Sequence, residues 1–146
     1  MRFLKIGLAA CMLCLAPMVA YADGAVHKIA FHVDENDPQV MNMALNNVQN
    51  VSKYYADKGE EVEIEVVTYG PGLMMLREDK SPVAERISVM SLEIPNLSFA
   101  ACGNTHRAMS QQAGKEVPLL SEAKVVPSGV VRLVELQEAG YSYIRP

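Results

Sequence analysis

Leu97-Ser98-Phe99-Ala100-Ala101-Cys102-Gly103-Asn104-Thr105-His106 passes from an apolar extended run into the polar start of a helix, and its reading decides the fold. Leu97 to Ala101 has the length and apolar content of a strand. The helix begins near Gly103 or Asn104 and runs to about Ala113, where Gly114 stops it. A strand that leads directly into a helix is half of a βαβ unit, and the same sequence grammar recurs on both sides.

Upstream, Lys28 to Val33 reads as a first strand closed by the turn cluster Asp34-Glu35-Asn36. Asp37-Pro38 then supplies a capping carboxylate and a proline suited to a first helical turn. Val40, Ala44, Val48, Val51 and Tyr55 follow at helical spacing, with Gly59 as the stop. Glu61 to Val66 alternates and Val67-Thr68-Tyr69 is more apolar, a strand with one face partly exposed near its start. Gly70-Pro71-Gly72 breaks it. A short helical piece covers Leu73 to Arg77, and Ser81-Pro82 opens a helix with Val83, Ile87 and Met90 on one side, closed by Pro95-Asn96.

Downstream, Lys115 to Glu122 reads as a surface loop and Lys124-Val125-Val126 as a fourth strand. Pro127-Ser128-Gly129 is a turn. Val130, Val131, Leu133, Val134 and Leu136 mark a helix ended by Gly140, and Tyr141 to Ile144 is a last short strand. Strands and helices alternate without repeats, so the expected fold is a three-layer α/β domain with a mostly parallel sheet. Ligands of such sheets bind beyond the carboxyl ends of the strands. Three loops meet that description: Gly70 to Gly72, Cys102 to Thr105, and Pro127 to Gly129.

Residues 1–22 have the form of an export signal. Arg2 and Lys5 give the positive end, Ile6 to Ala16 the apolar core, and Ala20-Tyr21-Ala22 the small-x-small cleavage site. The apolar run is too short for a spanning helix, so the expected mature form has no membrane segment. Leu8-Ala9-Ala10-Cys11 could be taken for a lipoprotein box, but the apolar run continues unbroken through Met12, Leu13 and Leu15. Cleavage after Ala22 leaves one domain of about 124 residues, 23–146, destined for the periplasm. It also removes Cys11 and Cys14 with their C-x-x-C spacing, which leaves Cys102 alone and makes an internal disulfide impossible.

With half of the sequence apolar, such a chain can bury a single core without staples. The mature part carries 11 basic against 17 acidic residues, a net of about −6 with histidine neutral. No basic cluster offsets that balance. Binding to nucleic acid or to an anionic membrane is therefore not expected.

Cys102 is the chief chemical candidate, since unsatisfied N–H groups and the dipole at a helix start favour a thiolate. Gly103 permits close approach of a partner, Asn104 or Thr105 can cap the helix, and His106 could share a face with Cys102 as proton acceptor. The bland reading is that an isolated cysteine simply packs. His32, His106 and Cys102, with Asp34, could make a metal site, but no tight ligand pair is present and none is assigned. The methionines read as core filling rather than copper ligands. No cofactor is expected, because Gly70 and Gly72 match neither a P-loop nor a dinucleotide fingerprint. Ser128 lacks a nucleophile-elbow context and reads as a helix cap.

Tyr69-Gly70-Pro71-Gly72-Leu73, Ala101-Cys102-Gly103-Asn104-Thr105, Val126-Pro127-Ser128-Gly129-Val130 and Gly140-Tyr141 together resemble the DsrE/DsrF-like family, in its exported branch. The resemblance spans nearly all of the mature region. It implies a three-layer α/β/α flavodoxin-like domain of about five strands and small homo- or hetero-oligomers, with a homo-oligomer expected here. In the sulfur-relay members it also implies a cysteine after the third strand that carries a persulfide between proteins, and Cys102 matches that position. The expected function is a periplasmic sulfur carrier, or sulfurtransferase-like protein, that takes sulfane sulfur on Cys102 and passes it to a protein or small thiol. The alternatives are a non-catalytic oligomeric binding or scaffold protein, and a thiol redox or metal sensor.

Overall fold

The computed structural model describes residues 26–146; the expected export signal, with Cys11 and Cys14, lies outside them. Five strands and four helices alternate: β1 His27–Val33, α1 Pro38–Lys58, β2 Val62–Thr68, α2 Ala84–Glu93, β3 Leu97–Cys102, α3 Gly103–Ala113, β4 Ala123–Val126, α4 Gly129–Glu138 and β5 Ser142–Ile144. A 3-10 segment, Gly70–Leu76, stands where a short helical piece at Leu73 to Arg77 was expected. The sheet is parallel throughout, in the order β4-β3-β2-β1-β5, and helices cover both faces. The domain is therefore a three-layer α/β/α sandwich of flavodoxin-like architecture.

The helix limits follow from the residues that set them. Asp37 caps α1 by accepting from the Gln39 amide at 2.7 Å, and Gly59 ends it with φ 71°. Gly114 ends α3 in the same left-handed conformation, φ 67°. These positions need a residue without a Cβ penalty. The buried stripe of α1 centres on Met41, Ala44, Leu45 and Val48, one step round from the stripe expected through Val40, Val51 and Tyr55, which are only half-buried.

Strand alternation sorts the core into two unequal halves. Ile29, Phe31 and Val33 of β1, Ile64 and Val66 of β2, and Leu97, Phe99 and Ala101 of β3 pack with α1, the 3-10 segment and α2. The other face, with Ala30, Val67 and Ala100, is covered by Leu133 and Leu136 of α4 and by Tyr141. One helix cannot cover five strands. A cleft of about 240 Å³ remains beside it, lined by Glu63, Glu65, Ser98, Ala100, Lys124 and Arg132. Glu65 is buried there because Arg132 of α4 grips both its carboxylate oxygens at 2.7 Å.

The segment expected as a surface loop, Lys115 to Glu122, is tied down in its middle. Val117 is buried, Glu78 N–H donates to the Pro118 carbonyl at 3.1 Å, and Leu120 N–H donates to the Leu76 carbonyl at 2.9 Å. Among the described residues no helix is long and apolar enough to cross a membrane.

Candidate functional site

The three loops singled out in the sequence do meet, and glycine lets them. A Cβ on Gly72 would lie 2.1 Å from the Val33 carbonyl oxygen, so the Gly70–Gly72 turn is seated directly on the end of β1. A Cβ on Gly103 would lie 2.9 Å from the Val126 carbonyl oxygen, which brings the start of α3 against the end of β4 and the Pro127 backbone. A Cβ on Gly129 would lie 3.0 Å from Tyr69 Cβ and 3.2 Å from Cys102 Cβ. The start of α4 thus closes over Cys102 and Tyr69 together. Pro71 occupies the first turn of the 3-10 segment, where its missing N–H costs nothing.

Cys102 is the last residue of β3 and the N-cap of α3, and it is 4% exposed. Burial pushes its thiol up. The Thr105 hydroxyl and the backbone N–H groups of Gly129, Thr105 and Asn104 act the other way and outweigh it, so the thiol lies below its ordinary value. The sulfur makes no side-chain capping bond to its helix. Cys102 caps the start of α3 and the start of α4 at Gly129 packs against it, and both helix dipoles favour negative charge there. Thr105 is fixed in turn by the Gly70 N–H, which donates to its Oγ1 at 2.9 Å.

The expected capping roles are redistributed. Asn104 accepts from Arg107 at 2.6 Å rather than capping α3, and Thr105 faces Gly70. Ser128 does hold the N-cap position of α4, without a side-chain capping bond. His106 is directed elsewhere than to the thiol: its Nε2 lies 2.7 Å from the Val117 carbonyl oxygen, which can only accept, so this nitrogen carries the proton. That contact helps hold down the segment after α3.

His32, weighed in the sequence only as a metal ligand with Cys102 and His106, stands beside Tyr69 at the same strand ends. His32 is 4% exposed, stacks on Tyr69 with ring centroids 4.6 Å apart, and has Nδ1 2.7 Å from the Tyr143 hydroxyl. Its Nε2 has no hydrogen-bond partner among the described residues; Asp34 Oδ2 is 3.8 Å away. Burial lowers the His32 pKa, the Asp34 charge opposes that, and Arg145 adds to it. Burial raises Tyr69, reinforced by the charge of Asp34. Arg145 is itself paired with Asp34 at 3.0 Å and Glu35 at 3.2 Å. Strand parity was the available signal, since His32, Val67 and Ala100 pair in one row of the sheet and point to one face.

The stretch from Cys102 through Tyr69 to His32 therefore lines the carboxyl ends of three adjacent strands. It can stabilise an anionic sulfur at one end and offers an aromatic wall beside it. Among the described residues no group of three or more His, Cys, Asp and Glu side chains could hold a metal ion.

No family model matches the chain, and no curated protein matches it. Among solved structures it is similar to a protein of unknown function, MTH1491 from Methanobacterium thermoautotrophicum. The two share 36% identity at a TM-score of 0.70, over 82% of this chain and 99% of that one.

Proposed function

The chain belongs to one family with the Methanobacterium thermoautotrophicum protein, and we propose that Cys102 makes it a carrier of sulfane sulfur. In this reading it is a DsrE-like protein, exported to the periplasm by residues 1–22 and acting as a homo-oligomer. The observation that carries it is a single sulfur at which the starts of two helices and the Thr105 hydroxyl converge to favour the thiolate. A thiolate, not a thiol, is the nucleophile in sulfur exchange.

The Cys102 thiolate attacks the outer sulfur of a donor R–S–SH. A bond forms between Cys102 Sγ and that sulfur, the donor's S–S bond breaks, and its electron pair leaves with RS⁻. The product is Cys102–S–SH. An acceptor thiolate reverses the sequence, taking the outer sulfur and returning the Cys102 thiolate, so no external oxidant is consumed. The N–H groups of Asn104, Thr105 and Gly129 serve both anionic forms, because their partial charge is fixed in the backbone. Intact mass of the cleaved protein after polysulfide treatment tests the proposal. A gain of one sulfur in the native chain and none in Cys102→Ala is expected; no gain in the native chain would overturn it.

One observation favours a second reading, a scaffold or binding protein in which Cys102 packs: the residue is 4% exposed. The same experiment separates the two when joined to thiol titration. A scaffold's thiol stays unreactive until the chain unfolds, whereas a carrier's reacts in the native state.

A further inference from the structure

We propose that His32 is a pH-sensitive latch on the last strand: when its ring takes a second proton, Asp34 turns from Arg145 to His32, and β5 with the chain end is released from β1. The inference stands apart from the reading of Cys102 and holds whether or not that residue carries sulfur. Side-chain contacts tie the chain end to β1 and to the turn after it. His32 Nδ1 lies 2.7 Å from the Tyr143 hydroxyl, and Arg145 reaches Asp34 at 3.0 Å and Glu35 at 3.2 Å. The neighbours fix which nitrogen is protonated in the neutral ring. Nε2 is buried without a hydrogen-bond partner among the described residues and faces the Asp34 carboxylate at 3.8 Å. A bare lone pair there would meet negative charge, so Nε2 carries the proton and Nδ1 accepts from the Tyr143 O–H.

A second proton reverses that arrangement. It must go on Nδ1, where the Tyr143 O–H already points, so Tyr143 has to turn its own proton away and accept instead. The charged ring also draws on Asp34, whose carboxylate Arg145 now holds. One event thus disturbs both ties to the chain end. Burial favours the neutral ring, the Asp34 charge opposes that, and Arg145 adds to it. No other neighbour neutralises the charge: Tyr69, stacked on the ring from the end of β2, keeps its proton because burial raises its hydroxyl, and Glu35 is engaged by Arg145. Releasing β5 is the least costly way to wet the ring, since that strand lies at the sheet edge and pairs with β1 over three residues.

Amide hydrogen exchange of the native chain and of His32→Gln, from about pH 7.5 to about pH 4.5, tests this when read as protection factors, in which the intrinsic pH dependence of exchange cancels. In the native chain Ser142–Ile144 should open without the rest of the sheet, so their protection stays below that of β2 and β3 at every pH. It should also fall by up to about tenfold per pH unit below 6.5 and level off once the folded ring is protonated. His32→Gln should show no such fall. Protection of β5 that is independent of pH, or that equals that of β2 and β3 throughout, overturns the proposal, and so does the same fall in His32→Gln. If the glutamine variant does not fold, the ring of native His32 is titrated by NMR. A fall in β5 protection that does not level off where the ring titrates then overturns it.

Discussion

Replacing Gly72 by alanine puts the contact between the 3-10 turn and β1 to a direct test. The added Cβ would sit 2.1 Å from the Val33 carbonyl oxygen, 2.5 Å from its carbon and 2.7 Å from Asp34 Cα, where ordinary contacts begin at 3.4 Å. Relief therefore takes a shift of more than about 1 Å between two backbones. Neither has a rotamer to change. Val33 is held by pairing with Thr68, and its carbonyl also accepts from the Tyr69 N–H. Ordinary overpacking costs about 1–3 kcal/mol; with main chain on both sides, about 3–5 kcal/mol is expected. Against a total of about 5–15 kcal/mol, that lowers the thermal midpoint by roughly 10–20 °C. Gly114→Ala is the control, because nothing lies within 4 Å of its Cβ and only its φ of 67° is unfavourable, at about 1 kcal/mol. Circular dichroism melts and urea titrations of both variants give the comparison. A Gly72→Ala protein that melts within a few degrees of native, or no lower than Gly114→Ala, would refute the packing argument.

Glu65→Ala should cost about 1–3 kcal/mol in urea unfolding, below the range for a fully buried pair because the Arg132 side chain is one third exposed and can rehydrate. Pairing it with Arg132→Leu should recover part of the loss; no loss in Glu65→Ala would mean the pair does not anchor α4. His32 governs a pH effect. Its folded pKa is below the ordinary 6.5, so its neutral form contributes stability that is present above pH 6.5 and lost as pH falls from there through the folded value. Native protein should therefore lose thermal stability over that window faster than His32→Gln does, and parallel pH profiles would refute the assignment.

The order of elements and the carboxyl-end loops were legible because their signals are local: Asp37-Pro38, Gly59 and Gly114 each act within a turn of where they stand. The partners of His106, Glu65 and His32 were not. Val117 follows His106 by 11 residues, but its burial depends on the segment after α3 packing on the 3-10 turn, which no local pattern records. Alternation at Glu61 to Val66 marked an exposed face, yet Glu65 is buried by an arginine 67 residues later. The His32 contact to Tyr143 spans 111 residues. Side-chain chemistry at long separation is thus what the sequence withheld, although strand parity had already set His32 on the face of Cys102.

The strand order β4-β3-β2-β1-β5 has a consequence for how the chain assembles. In vectorial synthesis β1 meets β2, β3 and β4 in turn, each stacking outward on the last, while its other flank stays open until β5 emerges. That flank bears bare amides and carbonyls on an apolar strand, a template for adventitious pairing. The closing strand is only three residues long, Ser142–Ile144, and loop closure over so great a separation is entropically slow. The Tyr143 contact to His32 is therefore a timing mark, made only when the sheet's last edge has been sealed.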